Sequence, residues 1–315
     1  MENKRRFTGR TWQNLQQKIK RIIERNKMKY YGNVFRPPSE ARSLIIQATI
    51  GCSHNDCTFC YMYKDEPFIV RKIEDIIEDL EEIREYFPYY ERVFIADGDA
   101  LVLKTEELVK LIDYINANMP NVKRISSYAT AGDINRKSVE ELKTLYDKGL
   151  KMLYIGFESG DDEILKDIKK GLTTEDYIKA MDKCKEVGFE TSVTIIAGLG
   201  GRAKWRENAI GTAKLITRTK PTYVSYLTMR IYKNAPIYKD YIEGKFEMPS
   251  AEEILCEIRL FLENVDSEGT IFRSNHASNY VLLGGTLNED REDLIEAIDE
   301  TLKKKNFRPV MFRSL

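Results

Sequence analysis

Beyond residue 40 the chain alternates short β-branched runs with longer amphipathic, charged segments. The runs "SLIIQATI" (43–50), "RVFIA" (92–96), "VKRISSYA" (122–129), "KMLYIGF" (151–157), "ETSVTIIAG" (190–198) and "TYVSYLTMR" (222–230) read as strands, and "GTIFRS" (269–274) as a weaker seventh. Between them lie helical patterns such as "RKIEDIIEDLEEIREYF" (71–87), with isoleucine and leucine at helical spacing. Ser138 with Glu141, and Ser250 with Glu253, have the spacing of capping boxes, and Thr105 reads as the cap of the "TEEL" helix. Strands alternating with helices build a parallel sheet with helices outside it. Six or seven such units over 41–275 predict an α/β fold: a parallel (βα)6-type partial TIM barrel with room for a seventh strand. Residues 1–40 form an N-terminal extension, with a basic helix near 10–28 and a stiff "FRPPSEA" link into the first strand. Residues 276–315 read as a loop and helix closing the barrel.

Composition narrows the class. Fifty basic residues balance fifty acidic ones in the 315-residue chain, so no global field draws in DNA, RNA or an anionic membrane. The N-terminus lacks the apolar stretch of a signal peptide, and no apolar run approaches the roughly 18 residues of a membrane span. The five cysteines are clustered rather than paired as in a secreted disulfide framework. A soluble cytoplasmic protein is expected.

The chemistry concentrates in "GCSHNDCTFC" (51–60), directly after the first strand. In parallel α/β folds, ligands bind where the C-terminal strand ends meet their loops. Cys52, Cys57 and Cys60 have three readings. They can be buried structural thiols, although the loop's polar residues make a poor apolar niche. With His54 they can supply a Cys3His zinc set, although one short loop would have to wrap all four ligands around the ion. They can also hold a [4Fe–4S] cluster by three thiolates, leaving one iron open. Cys184 and Cys256 lie in helical patterns and are weak candidates for a fourth ligand.

Three cysteines in the loop after strand one, with aromatic Phe59 before the third, resemble the radical S-adenosylmethionine (SAM) superfamily. The chain resembles most closely the branch that contains oxygen-independent coproporphyrinogen oxidases and methylthiotransferases. The common spacing there is three residues then two; here it is four then two. Further motifs carry the resemblance over residues 40–275. In "FIADGDAL" (94–101), Gly98 and Asp99 match the element that binds the methionyl ammonium of SAM, with Asp97 in place of a glycine. In "YIGFESGDDEILKDIKKG" (154–171), Glu158 matches a ribose ligand and Lys170 a carboxylate ligand. In "SVTIIAGLGG" (192–201), Thr194 holds the position of a polar ribose contact, and Ser127 on strand three is a further SAM neighbour. Asn275, Asn279, His276 and Tyr280 can line the mouth opposite the cluster, the asparagines toward substrate and His276 and Tyr280 as reacting groups. Equally, His276 and the asparagines can serve loop backbone. His54 is read as a neighbour of the cluster loop rather than an iron ligand.

The resemblance implies an oxygen-sensitive enzyme whose reduced [4Fe–4S] cluster cleaves SAM to methionine and a 5′-deoxyadenosyl radical. That radical takes hydrogen from a small-molecule substrate, and a flavodoxin or ferredoxin supplies the electron. A second reading is a heme-type cofactor-binding or delivery protein on the same fold, although such relatives carry a long C-terminal domain not seen here. A third, RNA modification as in methylthiotransferases, lacks the usual basic RNA-binding module. No corrin-binding domain or second cysteine cluster is seen in the sequence.

Overall fold

The computed structural model describes residues 28–313. One sheet holds β1 (Leu44–Gln47), β2 (Arg92–Ala96), β3 (Arg124–Ala129), β4 (Leu150–Glu158), β5 (Glu190–Ala197), β6 (Tyr223–Thr228), β7 (Ile271–Ser274) and β8 (Leu283–Thr286). The strands lie side by side in chain order, the first seven parallel to one another. Among the described residues β1 and β8 do not pair, so the barrel is open, as a partial TIM barrel requires. The weak seventh strand is real. An eighth, unforeseen within the expected closing loop, runs antiparallel to β7.

Alternation along each strand separates two layers. Val93 and Ile95 of β2 face the helices, as do Leu153, Ile155 and Phe157 of β4. Phe94, Ala96, Met152 and Tyr154 face inward with Ile45 and Tyr128. Burial on both faces explains why the strands read as nearly continuous apolar runs. The inner cluster fills the interior of the sheet between β1 and β4. Below it Glu40, fully buried, takes Arg124 at 2.6 Å and the Tyr154 hydroxyl at 2.6 Å. This pairing satisfies a carboxylate that burial would otherwise penalise.

The capping boxes at Ser138 and Ser250 form as the spacing predicts. The "TEEL" helix instead starts with Thr105 as its first residue and Lys104 at the cap; the Thr105 hydroxyl donates to Glu141 at 2.7 Å. The basic helix expected near 10–28 lies outside the described residues except for Met28, which is buried in the core. The following segment lies against the open edge of β1: Tyr31 and Gln47 exchange two 2.9 Å hydrogen bonds. The "FRPPSEA" link forms a 3-10 turn at Pro38–Glu40. No helix among the described residues is long and apolar enough to cross a membrane.

Candidate functional site

A two-residue ladder, Thr49 with Val70 and Ile50 with Ile69, closes the base of the cysteine loop. Gly51 turns the chain at φ +74°, and a Cβ there would sit 2.8 Å from the Pro67 carbonyl. Two neighbouring loops then hold the cysteines in place. The Thr58 N–H donates to the Ile168 carbonyl at 2.9 Å, and the Thr58 carbonyl accepts from the Ile237 N–H at 2.9 Å. His54 spends Nε2 on the Lys169 carbonyl at 2.6 Å, which fits its expected role as a loop neighbour. Phe59 packs against the core.

Cys52, Cys57 and Cys60 are free and partly buried. Burial pushes the Cys57 thiol up to about 11 and raises Cys60 as well. Such thiols ionise only when a cationic centre is there to accept the charge. Among the described residues no three His, Cys, Asp or Glu side chains converge on a point that one ion could occupy. A four-iron cluster gives each thiolate its own iron, so its ligands need no common point.

The turn after β2 faces this loop. A Cβ on Gly98 would lie 2.8 Å from the Gly51 carbonyl and 3.1 Å from Cβ of Cys52, so only glycine lets the turn approach. Asp97 anchors the loop: its carboxylate accepts from the Tyr63 hydroxyl, and its N–H donates to the Thr49 hydroxyl at 3.2 Å. Asp99 is 0% exposed and accepts a hydrogen bond from the Ser53 hydroxyl. Each of these two aspartates leaves one buried oxygen without a partner. Burial pushes both carboxyls up to about 6, with the Ser53 bond and then Arg136, Lys170 and Lys137 opposing that at Asp99. A buried carboxylate with a free oxygen and no bonded cation is a site for a cationic group.

β4 ends in a bulge between Gly156 and Glu158, where Glu158 takes φ +67°. Its carboxylate meets Lys170 at 2.8 Å. The resemblance gave these residues to two different parts of SAM; here they neutralise each other. Burial works against the Lys170 ammonium, but Glu158, Tyr177 and Cys57 hold it well above the ordinary lysine value. Lys170 closes the end of the preceding helix through its N–H, which donates to the Leu165 carbonyl at 2.9 Å, but its side chain goes to Glu158. The helix stops at Asp167, and Lys169 at φ +54° lets the chain bring Lys170 back inward.

Thr194 pairs with Gly156 and Ser225 and is half-buried. Ser127 does not join the site. Its register partners are Ile95 and Leu153, both in the helix-facing layer, and its hydroxyl donates to the Ile95 and Tyr128 carbonyls. One residue of strand phase puts Tyr128 inside and Ser127 outside.

The glycine turn after β5 has an anchor not foreseen from sequence. Glu257, fully buried on the helix Ala251–Asn264, accepts from the Gly198 N–H at 3.0 Å and the Asn208 amide at 2.7 Å. Burial pushes its carboxyl up to about 8. The folded protein therefore keeps a proton that the unfolded chain releases near 4.5, and stability falls as pH rises from about 4.5 to about 8. Glu257→Gln is expected to flatten that decline and add on the order of 3 kcal/mol at pH 9. Urea unfolding of both proteins at pH 5 and pH 9 measures it; equal slopes in the two would remove Glu257 as the cause.

After β7 the expected four residues separate. Asn279 is 0% exposed and saturated: it donates to the Tyr226 carbonyl at 2.8 Å and the Ser274 hydroxyl at 2.9 Å, and accepts from Thr228 at 2.9 Å. It is a structural tie, not a substrate ligand. The Tyr280 ring lies under the Arg313 guanidinium at 3.5 Å, with Phe307 edge-on at 6.2 Å, so it packs the C-terminal segment. Asn275 is exposed. His276 Nδ1 lies 2.9 Å from the Ser278 hydroxyl and 3.2 Å from the Ser278 N–H; with Nδ1 accepting the N–H, the neutral ring carries its proton on Nε2. Tyr61, directly after Cys60, stacks on Tyr232 at 3.7 Å, and Arg230 lies over Tyr232 at 5.7 Å. Arg230 follows β6 closely, so the strand-end logic applied to Asp99 would have found it.

Known proteins bear the same pattern. The heme chaperone HemW of Bacillus subtilis is 24% identical over 184 residues, 58% of this chain and 48% of its own. The chain spans about half the length of the curated relatives it matches. The methyltransferase TsrM from Kitasatospora setae, solved with cobalamin and a [4Fe–4S] cluster, shares the fold at TM-score 0.53 and 17% identity, over 69% of this chain and 43% of TsrM. Methylornithine synthase (PylB) aligns at TM-score 0.51 and 16% identity, over 96% of this chain and 90% of its own. A profile of the radical SAM superfamily matches residues 46–211, from β1 through the cysteine loop to the helix after the glycine turn, and the chain belongs to that superfamily.

Proposed function

We propose that Cys52, Cys57 and Cys60 hold a [4Fe–4S] cluster and that SAM binds between this loop and the ends of β2, β4 and β5. The observation that carries this is Asp99: fully buried, bonded to Ser53 of the cysteine loop, and with one oxygen lacking a partner. A free anionic oxygen in that position suits the methionyl ammonium, and Gly98 provides the close backbone approach. When bound, cluster and SAM would supply one-electron cleavage of SAM and, through it, hydrogen abstraction from a small-molecule substrate. The chain's own groups position and shield. Asp97 and Tyr63 brace the loop, and Thr194 offers a hydroxyl from the half-buried face of β5. Glu158 and Lys170 open their mutual pair to meet the ribose hydroxyls and the carboxylate. The inner apolar cluster keeps water from entering below. Reduction needs an external one-electron donor of the flavodoxin or ferredoxin kind.

The HemW relative favours a second reading, cofactor binding or delivery without turnover. One assay separates them. Protein reconstituted anaerobically, then given dithionite and SAM, is expected to form 5′-deoxyadenosine slowly without substrate, since substrate often completes a catalytic site. Mass spectrometry detects the product. None above a Cys60→Ala control at full cluster loading, with stoichiometric heme binding by absorbance, would establish the second reading instead.

A further inference from the structure

Basic side chains gather where the loop after β6, the loop after β7 and the C-terminal segment meet. Arg230 donates to the Arg313 carbonyl and lies over Tyr232. Arg313 is itself buried, stacked on Tyr280, and donates to the Ser278 carbonyl at 2.9 Å. The Arg308 N–H donates to the Tyr280 carbonyl at 2.8 Å, which brings that residue to the same loop. The Thr228 N–H and His276 Nδ1 both meet the Ser278 hydroxyl, at 3.1 Å and 2.9 Å, so the loop carrying His276 is tied to the end of β6 that leads into Arg230. Burial, then Arg230 and Arg308, lower the His276 imidazole. None of Arg230, Arg308 and Arg313 forms an ion pair among the described residues, as is also true of Arg206, Arg273 and Arg291.

The Arg230 and Arg313 guanidiniums, held by stacking and bonds to backbone carbonyls and paired with no carboxylate among the described residues, make a local positive field. A planar guanidinium beside an imidazole N–H is the donor set for an oxyanion. The place is also set: Arg230 stacks on Tyr232, Tyr232 on Tyr61, and Tyr61 adjoins Cys60. An anion on Arg230 would thus be bound two aromatic rings away from the thiol loop. We propose that Arg230 and Nε2–H of His276 bind an oxyanion group, a carboxylate or a phosphate, of the molecule that reacts at this site, with Arg308 adding charge and Arg313 bracing the loop. The assignment of that molecule as substrate rests on the reading above; the anion site stands or falls by itself.

The chain has two histidines, so imidazole NMR resolves His276 against His54 as an internal control. Oxidised, cluster-loaded protein is titrated without SAM with inorganic phosphate or with succinate, ionic strength being held constant with chloride. A saturable shift of the His276 Cε1–H signal is expected with one of the two anions, and the tighter one tells phosphate from carboxylate. Arg230→Gln is expected to weaken that anion about tenfold or more, and Arg230→Lys to recover part of the loss. Circular dichroism and an unchanged His54 signal report that the variants fold. If Arg230→Gln does not fold, calorimetry of His276→Gln with the same anion replaces it, and a several-fold loss is expected. The site is overturned if both anions move His276 no more than chloride does, or if the folded variants bind like wild type. Because SAM is absent, this failure is separate from a failure to cleave SAM.

Discussion

Cys57→Ala protein, reconstituted anaerobically, is expected to lose the four-iron cluster and to form 5′-deoxyadenosine only at the level of a protein-free control. Wild type should carry about four irons per chain. Cys57 is the middle thiol of the proposed ligand set, and Lys170, Glu158, Cys60 and Cys52 act on it. With two thiolates left on one loop, the cluster loses both a ligand and the charge that balances it. Cys184→Ala and Cys256→Ala should keep their iron. Cys184 is buried on the helix Thr174–Val187 within the outer core, and Cys256 lies on the helix Ala251–Asn264 among Arg259, Glu252, Arg206 and Asp299. Iron and sulfide analysis with visible absorbance checks all three. Full iron in Cys57→Ala, or stoichiometric zinc without charge-transfer absorbance in wild type, would end the cluster assignment.

Asp99→Ala is expected to bind SAM more weakly by about 2–5 kcal/mol, roughly thirtyfold to several thousandfold, with iron content unchanged. Much of that loss is the cost of leaving the methionyl ammonium unpaired in a buried site. Stability should move little or even rise, because the empty fold bears a buried carboxyl with an unpartnered oxygen. That combination separates a lost ligand contact from a damaged fold. The pH dependence follows from the same residue. Its carboxyl is pushed up to about 6, so below that pH the empty site is protonated and neutral toward an ammonium. Wild-type SAM affinity should therefore fall as pH drops through 6, while Asp99→Asn should be weak and flat. Anaerobic calorimetry from pH 5 to pH 8 measures both. Unchanged affinity in Asp99→Ala would remove this residue from the site.

The strands, the order of the helices and the address of the cysteines could all be read in advance, because each depends on local periodicity. Apolar runs buried on both faces mark parallel strands, and the residues that directly end them point at the ligand face wherever the barrel is built. Gly98, Asp99 and Glu158 were legible for that reason. β8 was not: "LGGT" has little strand propensity, and it forms because β7 pairs with it and Gly285 leaves room for Asp290, 2.8 Å from where a Cβ would stand. Tertiary structure alone decided the rest. A one-residue phase of β3 turned Ser127 toward the helices, and a bulge in β4 aimed Glu158 at Lys170. Asn279 became a buried tie to Tyr226, and Glu257 came from another helix to hold the Gly198 backbone. Sequence by itself determined which residues stand at strand ends. Which face each side chain takes, and which distant group it meets, follows from register, bulges and the need to satisfy buried polar groups, and those are set only when segments far apart in the chain pack together.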